Sequence, residues 1–270
     1  MAAVTPPEEQ PTLLFTRSWL PAPHRQELAY RVAGSGQPVV LFHGLWNSSS
    51  IWQETIQTFS PYYRLYAPDL PGHGQSPPRL PWKLREVGAM LAAWMRSLEL
   101  SPATVIGHSM GGALAMLLAA AEPELVDRLV LVDAAGLPMK QPLLRALTRA
   151  GLGLTNRQTL RYRSRYGFGN RLQSLATLQA ADEVLACDLR PELSAIRCPT
   201  LIIWGTRDPL LPAHTAALLQ RSIQGAELVL LPNVRHQPQR QVPHIFHNIL
   251  DDFLERWNAS NHQVITEASD

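Results

Sequence analysis

Cysteine is nearly absent from this chain, with only Cys187 and Cys198 among 270 residues. With no C-x-x-C pair and no His/Cys group at metal-ligand spacing, neither a disulfide framework nor a zinc centre is suggested, and two buried thiols are the expectation. No metal and no cofactor is called for. A long hydrophobic run is missing too. The most apolar stretch, residues 113–121, falls far short of the roughly 20 residues that cross a bilayer and reads as a buried helix. Residues 1–11 carry Glu8, Glu9 and prolines where a secretory leader would be basic and then apolar, so a cytoplasmic location is expected. A formal net charge of +2 gives no global case for nucleic-acid binding. What the chain has in quantity is apolar residues, 46%, enough for one large core.

Residues 27–45 predict a strand, a Gly34-Ser35-Gly36 turn and a second strand that is apolar on both faces. Such a strand belongs inside a sheet covered by helices. Similar runs recur at 63–68, 103–106, 128–133, 200–204 and 227–231, and between them helical spacing occupies about 49–58, 83–98, 110–121, 213–222 and 241–256. This alternation predicts a mostly parallel α/β sheet with right-handed crossovers, whose ligands bind outside the carboxyl ends of the strands. From 137 to 197 no apolar strand occurs, only helix-like segments interrupted by Gly151, Gly153, Gly167 and Gly169. That interval is predicted to be a helical cap inserted into a core domain made of residues 1–136 and 198–270. Residues 1–15 and 258–270 are read as loosely ordered ends.

The pentapeptide Gly107-His108-Ser109-Met110-Gly111 lies between the run 103–106 and an alanine- and leucine-rich helical stretch. A G-x-S-x-G turn from strand to helix is so tight that its serine is strained and its glycines have no room for side chains. Such a turn exposes the Ser109 hydroxyl and aims the first helical N–H groups at whatever that hydroxyl attacks. A serine hydroxyl is a poor nucleophile until a base takes its proton, and a neutral imidazole does so when a carboxylate holds its other nitrogen protonated. Gly205-Thr206-Arg207-Asp208 follows one late strand and Val234-Arg235-His236 follows the next, completing the order serine, acid, histidine. Ser109, Asp208 and His236 are therefore the candidate catalytic residues, with Asp133, at the end of the preceding strand, as the rival acid. His43 and His73 precede glycines inside turns and are expected to pack or to bond backbone. An oxyanion needs preplaced N–H donors, each worth roughly 10²–10³ in rate. Met110 supplies one, and Leu45, in Phe42-His43-Gly44-Leu45-Trp46, is the candidate for the other. Trp46 and His108 are expected to line the substrate pocket.

Together these pieces resemble the α/β-hydrolase superfamily, in the cap-bearing branch that includes esterases, epoxide hydrolases and meta-cleavage C–C hydrolases, over about residues 25–256. His43-Gly44 is similar to that branch's oxyanion-loop signature, Asp69-Leu70-Pro71-Gly72-His73-Gly74-Gln75-Ser76 to its D-x-P-G-x-G-x-S turn, and residues 191–208 to its acid segment. Arg235 stands where members usually have glycine, and Gln241 where glutamate is frequent. The resemblance implies the α/β-hydrolase fold, and serine rather than aspartate at the elbow argues against dehalogenase or epoxide-hydrolase chemistry.

The expected activity is hydrolysis of a carboxylic ester or thioester of a moderately hydrophobic acyl group through an acyl-enzyme on Ser109. A meta-cleavage C–C hydrolase and a slow-turnover receptor on the same fold are the alternatives. Between 137 and 171 the chain carries Lys140, Arg145, Arg149, Arg157, Arg161, Arg163, Arg165 and Arg171 with no Asp or Glu. Interleaved leucines make these segments amphipathic, either as a solvated basic face or as a surface for an anionic substrate, an acyl carrier or an anionic lipid surface.

Overall fold

The computed structural model describes residues 12–138 and 171–267. The stretch with Lys140, Arg145, Arg149, Arg157, Arg161, Arg163 and Arg165 lies outside the described residues. Eight strands form one sheet: β1 (Leu14–Leu20), β2 (Gln26–Ala33), β3 (Pro38–Phe42), β4 (Arg64–Pro68), β5 (Ala103–His108), β6 (Val126–Val132), β7 (Thr200–Gly205) and β8 (Glu227–Leu231). Their order is β1-β2-β4-β3-β5-β6-β7-β8, antiparallel where β2 meets β1 and β4 and parallel elsewhere. The chain turns outward from β3 to β4 and then crosses back to β5, so loops leaving β3 and β5 part at the point where such sheets open a crevice.

Helices cover both faces. On one side lie α2 (Leu84–Ser97), α3 (Met110–Ala121), α4 (Arg171–Ala186), α5 (Arg190–Leu193) and α6 (His214–Ser222), which share a core with Val105, Leu129, Leu131 and Trp204 of the sheet. On the other side α1 (Gln53–Phe59) and α8 (Pro243–Glu267) bury Ile56, Phe59, Phe246, Leu250 and Phe253 against Leu41, Ile106, Val130 and Ile203. A short α7 (Pro238–Gln241) precedes α8. Strand β3, β5 up to Gly107 apart from Thr104, and β6 from Leu129 onward are apolar on both faces because each face meets a layer of helices.

Two expectations about the ends change. Leu14 and Phe15 belong to β1, paired with Val32 and Arg31 of β2, and α8 continues to Glu267. Within 171–197 the elements are the helices α4 and α5, joined and followed by short non-helical links at 187–189 and 194–197, with no strand among the described residues. Helix α4 docks over the turn between β4 and α2, where its Gln179 side chain accepts the Trp82 N–H at 2.8 Å and Glu183 accepts the Leu84 N–H at 3.1 Å. Cys187 and Cys198 are free thiols, pushed up to about 12 and about 11 by burial. No helix among the described residues is long and apolar enough to cross a membrane.

Candidate active site

Loops from the carboxyl ends of β3, β5, β7 and β8 converge at one end of the sheet. β5 ends at His108 and α3 begins at Met110, so Ser109 alone makes the turn, at φ 53° and ψ −116°. A non-glycine residue held there costs of order 1–3 kcal/mol, and the surrounding backbone supplies the restraint. The Ser109 N–H donates to the Val132 carbonyl at 3.0 Å, and its own carbonyl accepts from Gly112 at 2.9 Å, Ala113 at 3.3 Å and Ala135 at 3.0 Å. A Cβ added at Gly107 would stand 2.3 Å from the Gly111 carbonyl oxygen, and one at Gly111 would stand 2.3 Å from that of Phe42. Strand, turn and helix thus pack backbone against backbone.

Ser109 Oγ lies 3.0 Å from His236 Nε2, and His236 Nδ1 lies 2.6 Å from Asp208 Oδ2. Because a carboxylate only accepts, Nδ1 is assigned the proton and Nε2 turns its lone pair to the hydroxyl. The Asp208 side chain is fully buried, whereas that of His236 keeps 14% of its surface. Asp208 also closes its own turn, since Oδ1 accepts the N–H groups of Leu210 at 2.7 Å and Leu211 at 3.0 Å. The turn role and the site role therefore use different oxygens of one carboxylate. The two departures from the family pattern meet here: the Arg235 N–H donates to Gln241 Oε1 at 2.8 Å, so a neutral amide serves as the acceptor that steadies the histidine loop.

Met110 opens α3, and the first N–H groups of a helix have no acceptor within it. Leu45 follows β3 and packs, partly buried, against the larger core. Trp46 has a positive φ of 53°, and its Nε1 is buried without a partner among the described residues. His108 departs from expectation. Only 1% exposed, it donates from Nε2 to the His236 carbonyl at 2.6 Å, with ring centroids 4.9 Å apart. It braces the histidine loop from behind rather than lining a pocket, because period-two alternation along β5 sends it to the same face as Ile106. Burial, followed by the neighbouring His236, holds it well below the usual histidine range, so its ring is neutral.

Two further histidines fix the loops around the site. His43 donates from Nδ1 to the Gly44 carbonyl at 2.7 Å and accepts the Leu70 N–H on Nε2 at 2.9 Å, tying the loop after β3 to the turn 69–76. His73 donates to the Pro71 carbonyl at 3.2 Å. Burial pushes them down to about 4 and about 3. Asp69 spends both oxygens on backbone, accepting Ser49 N–H at 2.7 Å and Gln75 N–H at 2.8 Å, which leaves it no part in chemistry.

Asp133 is completely buried at φ 40°. Its Oδ1 accepts the Gly205 N–H at 2.8 Å, and its Oδ2 has no partner among the described residues. Burial pushes this carboxyl up to about 9; the Gly205 hydrogen bond opposes that shift and the charge of Asp208 adds to it. His108, Asp133 and His236 each bring one potential ligand atom within 4.8 Å of the others. Both ring nitrogens of His236 are already engaged, so a cation there would have to displace Ser109 or Asp208. Nothing in the motifs singles out Gly205, yet a glycine closing an apolar strand is a signal of close backbone approach. A Cβ on it would meet the carbonyl oxygens of Val234 and Arg235, both at 2.5 Å.

Compared with known proteins, the chain matches the Alpha/beta hydrolase family over residues 39–247. It is 31% identical to the pimeloyl-[acyl-carrier protein] methyl ester esterase of Nitrosospira multiformis over 243 residues, covering 79% of this chain and 92% of that one. It is 29% identical to an uncharacterised protein of Mycobacterium tuberculosis, over 86% of this chain and 79% of the other. Among solved structures, a hydrolase from Pseudomonas aeruginosa superposes with a TM-score of 0.77 at 25% identity, covering 88% of this chain and 98% of its own.

Proposed function

This chain belongs to the alpha/beta hydrolase family and is a hydrolase, and from that premise we propose that it cleaves carboxylic esters or thioesters through an acyl-enzyme on Ser109. The observation that carries the reading is the continuous contact from Ser109 Oγ through His236 to Asp208, 3.0 Å and then 2.6 Å. Ser109 Oγ attacks the carbonyl carbon while its proton passes to His236 Nε2, and the buried Asp208 carboxylate stabilises the resulting imidazolium. The oxyanion is received by the N–H groups of Met110 and Leu45. Collapse expels the alcohol or thiol, which takes the proton from His236. Water then repeats the sequence and releases the acid.

The substrate is an acyl ester of moderate hydrophobicity. Residues 137–197 serve as its lid, which the docking of α4 over the turn before α2 supports. The relative from Nitrosospira multiformis is named for a carrier-bound methyl ester, and the stretch Lys140 to Arg171 has cations without acids. Both favour delivery by an acyl carrier, whose surface and phosphate linker are anionic.

The test is labelling with a fluorophosphonate followed by turnover of short and medium p-nitrophenyl esters and of methyl esters on an acyl carrier. Stoichiometric labelling, abolished in Ser109→Ala, with multiple turnovers of at least one ester is the expected result. Absence of labelling at Ser109 in the folded protein refutes the acyl-enzyme. Arg161→Glu with Arg163→Glu should weaken carrier-bound esters selectively, and equal losses on free esters would refute carrier delivery.

A further inference from the structure

Two carboxyls stand beside one imidazole in this site, and the relay uses only one of them. Asp208 bonds His236 Nδ1. Asp133 arrives from the neighbouring strand β6 with a carboxyl oxygen within 4.8 Å of nitrogens of His236 and His108. It is wholly buried, and one of its oxygens has no partner among the described residues. An ionised carboxylate could not remain so: removing it from water without compensating hydrogen bonds costs several kcal/mol, and a second negative charge beside Asp208 adds repulsion. The titratable groups facing it are His108 at the end of β5, Asp208 after β7 and His236 after β8, and among these Asp208 is the one that raises it electrostatically. Oδ1 is committed as an acceptor to Gly205 N–H. The proton therefore belongs on Oδ2.

We propose that Asp133 and Asp208 hold a single negative charge between them opposite His236, with Asp133 as the neutral positioning acid that fixes the Gly205–Asp208 turn and takes up the charge when Asp208 is neutralised. This rests on the triad reading above. Neutrality lets Asp133 brace the turn through Gly205 without competing for His236, and it keeps the imidazolium facing one compensating charge. The burial that pushes Asp133 to about 9 fits a proton retained across the physiological range. Pairs of this kind titrate as a unit, so removing the charge of one partner eases ionisation of the other.

The experiment measures kcat/KM against pH for p-nitrophenyl ester hydrolysis by the full-length enzyme and by Asp133→Asn, Asp208→Asn and the double variant, with Ser109→Ala as the background. Asp133→Asn preserves the carbonyl that accepts from Gly205 and should stay within about threefold of wild type near pH 7. Asp208→Asn should lose about 10³–10⁴-fold near pH 7, with its residual rate climbing as pH rises and Asp133 ionises. In the double variant that climb should vanish, leaving the rate at least about tenfold below Asp208→Asn near pH 9. A folded Asp133→Asn that loses about 10²-fold or more would make Asp133 itself the charged acid and overturn the proposal. So would identical profiles for Asp208→Asn and the double variant. A wild-type enzyme that neither turns over nor is labelled at Ser109 defeats the triad reading as well, so the two failures are distinguishable. Should the variants fold poorly, infrared difference spectra of the wild type between neutral and alkaline pH should show loss of a protonated-carboxyl C=O band, and absence of that band at neutral pH overturns the proposal.

Discussion

Gly205→Ala should separate catalysis from folding. The loop bearing Asp208 and the loop bearing His236 run in backbone contact at this residue, where the Arg207 N–H donates to the Val234 carbonyl at 2.8 Å. An alanine Cβ would stand 2.5 Å from the carbonyl oxygens of Val234 and Arg235, whereas a carbon approaches a carbonyl oxygen comfortably only at about 3.3 Å or more. The loops must therefore part by about 0.8 Å, and neither obstacle is a side chain that can swing aside. Added to the 2.6 Å between His236 Nδ1 and Asp208 Oδ2, that displacement stretches the contact to about 3.4 Å, beyond a useful hydrogen bond. Misplacement on this scale costs up to about 10²-fold in kcat. The overpacking itself costs about 1–3 kcal/mol, each worth about 2–4 °C in Tm for a chain of this size. Steady-state hydrolysis, the rate of fluorophosphonate labelling and thermal unfolding measure the two effects separately. Gly88→Ala is the control, because its Cβ meets only the Leu117 side chain at 3.8 Å inside α2 and should add about 0.5–1 kcal/mol of stability with no change in kcat. A Gly205→Ala enzyme that keeps kcat within about twofold of wild type would refute the claim that backbone spacing at β7 sets the Asp208–His236 geometry.

Strain at the elbow predicts different outcomes for two inactive variants: Ser109→Gly should be more stable than Ser109→Ala by about 1 kcal/mol, or about 2–4 °C in Tm, since only glycine relieves the positive φ of 53°, and equal unfolding temperatures would show the turn to be unstrained. Acid should destabilise the fold well above the carboxylate range. His43 and His73 have folded values near 4 and 3, below the unfolded 6.5, so the unfolded chain binds more protons as pH falls. Their contribution is complete above about pH 6.5 and drains by about 1.4 kcal/mol per pH unit for each histidine until its folded value is reached. Denaturant unfolding at a series of pH values reads the slope; a flat stability between pH 6.5 and 5 would contradict the burial of these rings.

The sheet was legible where burial shapes composition and obscure where it does not. β3, β5, β6 and β7 announce themselves because both faces are covered, which favours apolar or small side chains over most of their length, with His108 at the end of β5 and Arg128 near the start of β6 as buried exceptions. β1 does not: Leu14, Phe15 and Trp19 face solvent along an edge strand and Leu20 alone of its apolar residues is buried, so no repeating inward face shows and a strand hides in what looks like a tail. The polar stretch after residue 257 similarly lacks an apolar stripe, yet it extends α8, because adding a turn to a helix already anchored by Phe246, Leu250 and Phe253 requires no new nucleus.

The site divides along a related line. Residue types and their strand-end positions brought Ser109, Asp208 and His236 forward together, since the chemistry of acyl transfer constrains which side chains can serve. Protonation carries no such signature. Asp133 and Asp208 are the same residue at the ends of adjacent strands, and what separates them is local geometry: one accepts two N–H groups on Oδ1 and a histidine N–H on Oδ2, while the other receives a single N–H from Gly205. Three donors stabilise a buried carboxylate and one does not. The count of N–H groups that the β7 turn directs at each oxygen therefore decides which aspartate is charged, and Gly205 supports both outcomes. Its N–H satisfies the neutral acid, and its missing side chain lets the charged one reach His236.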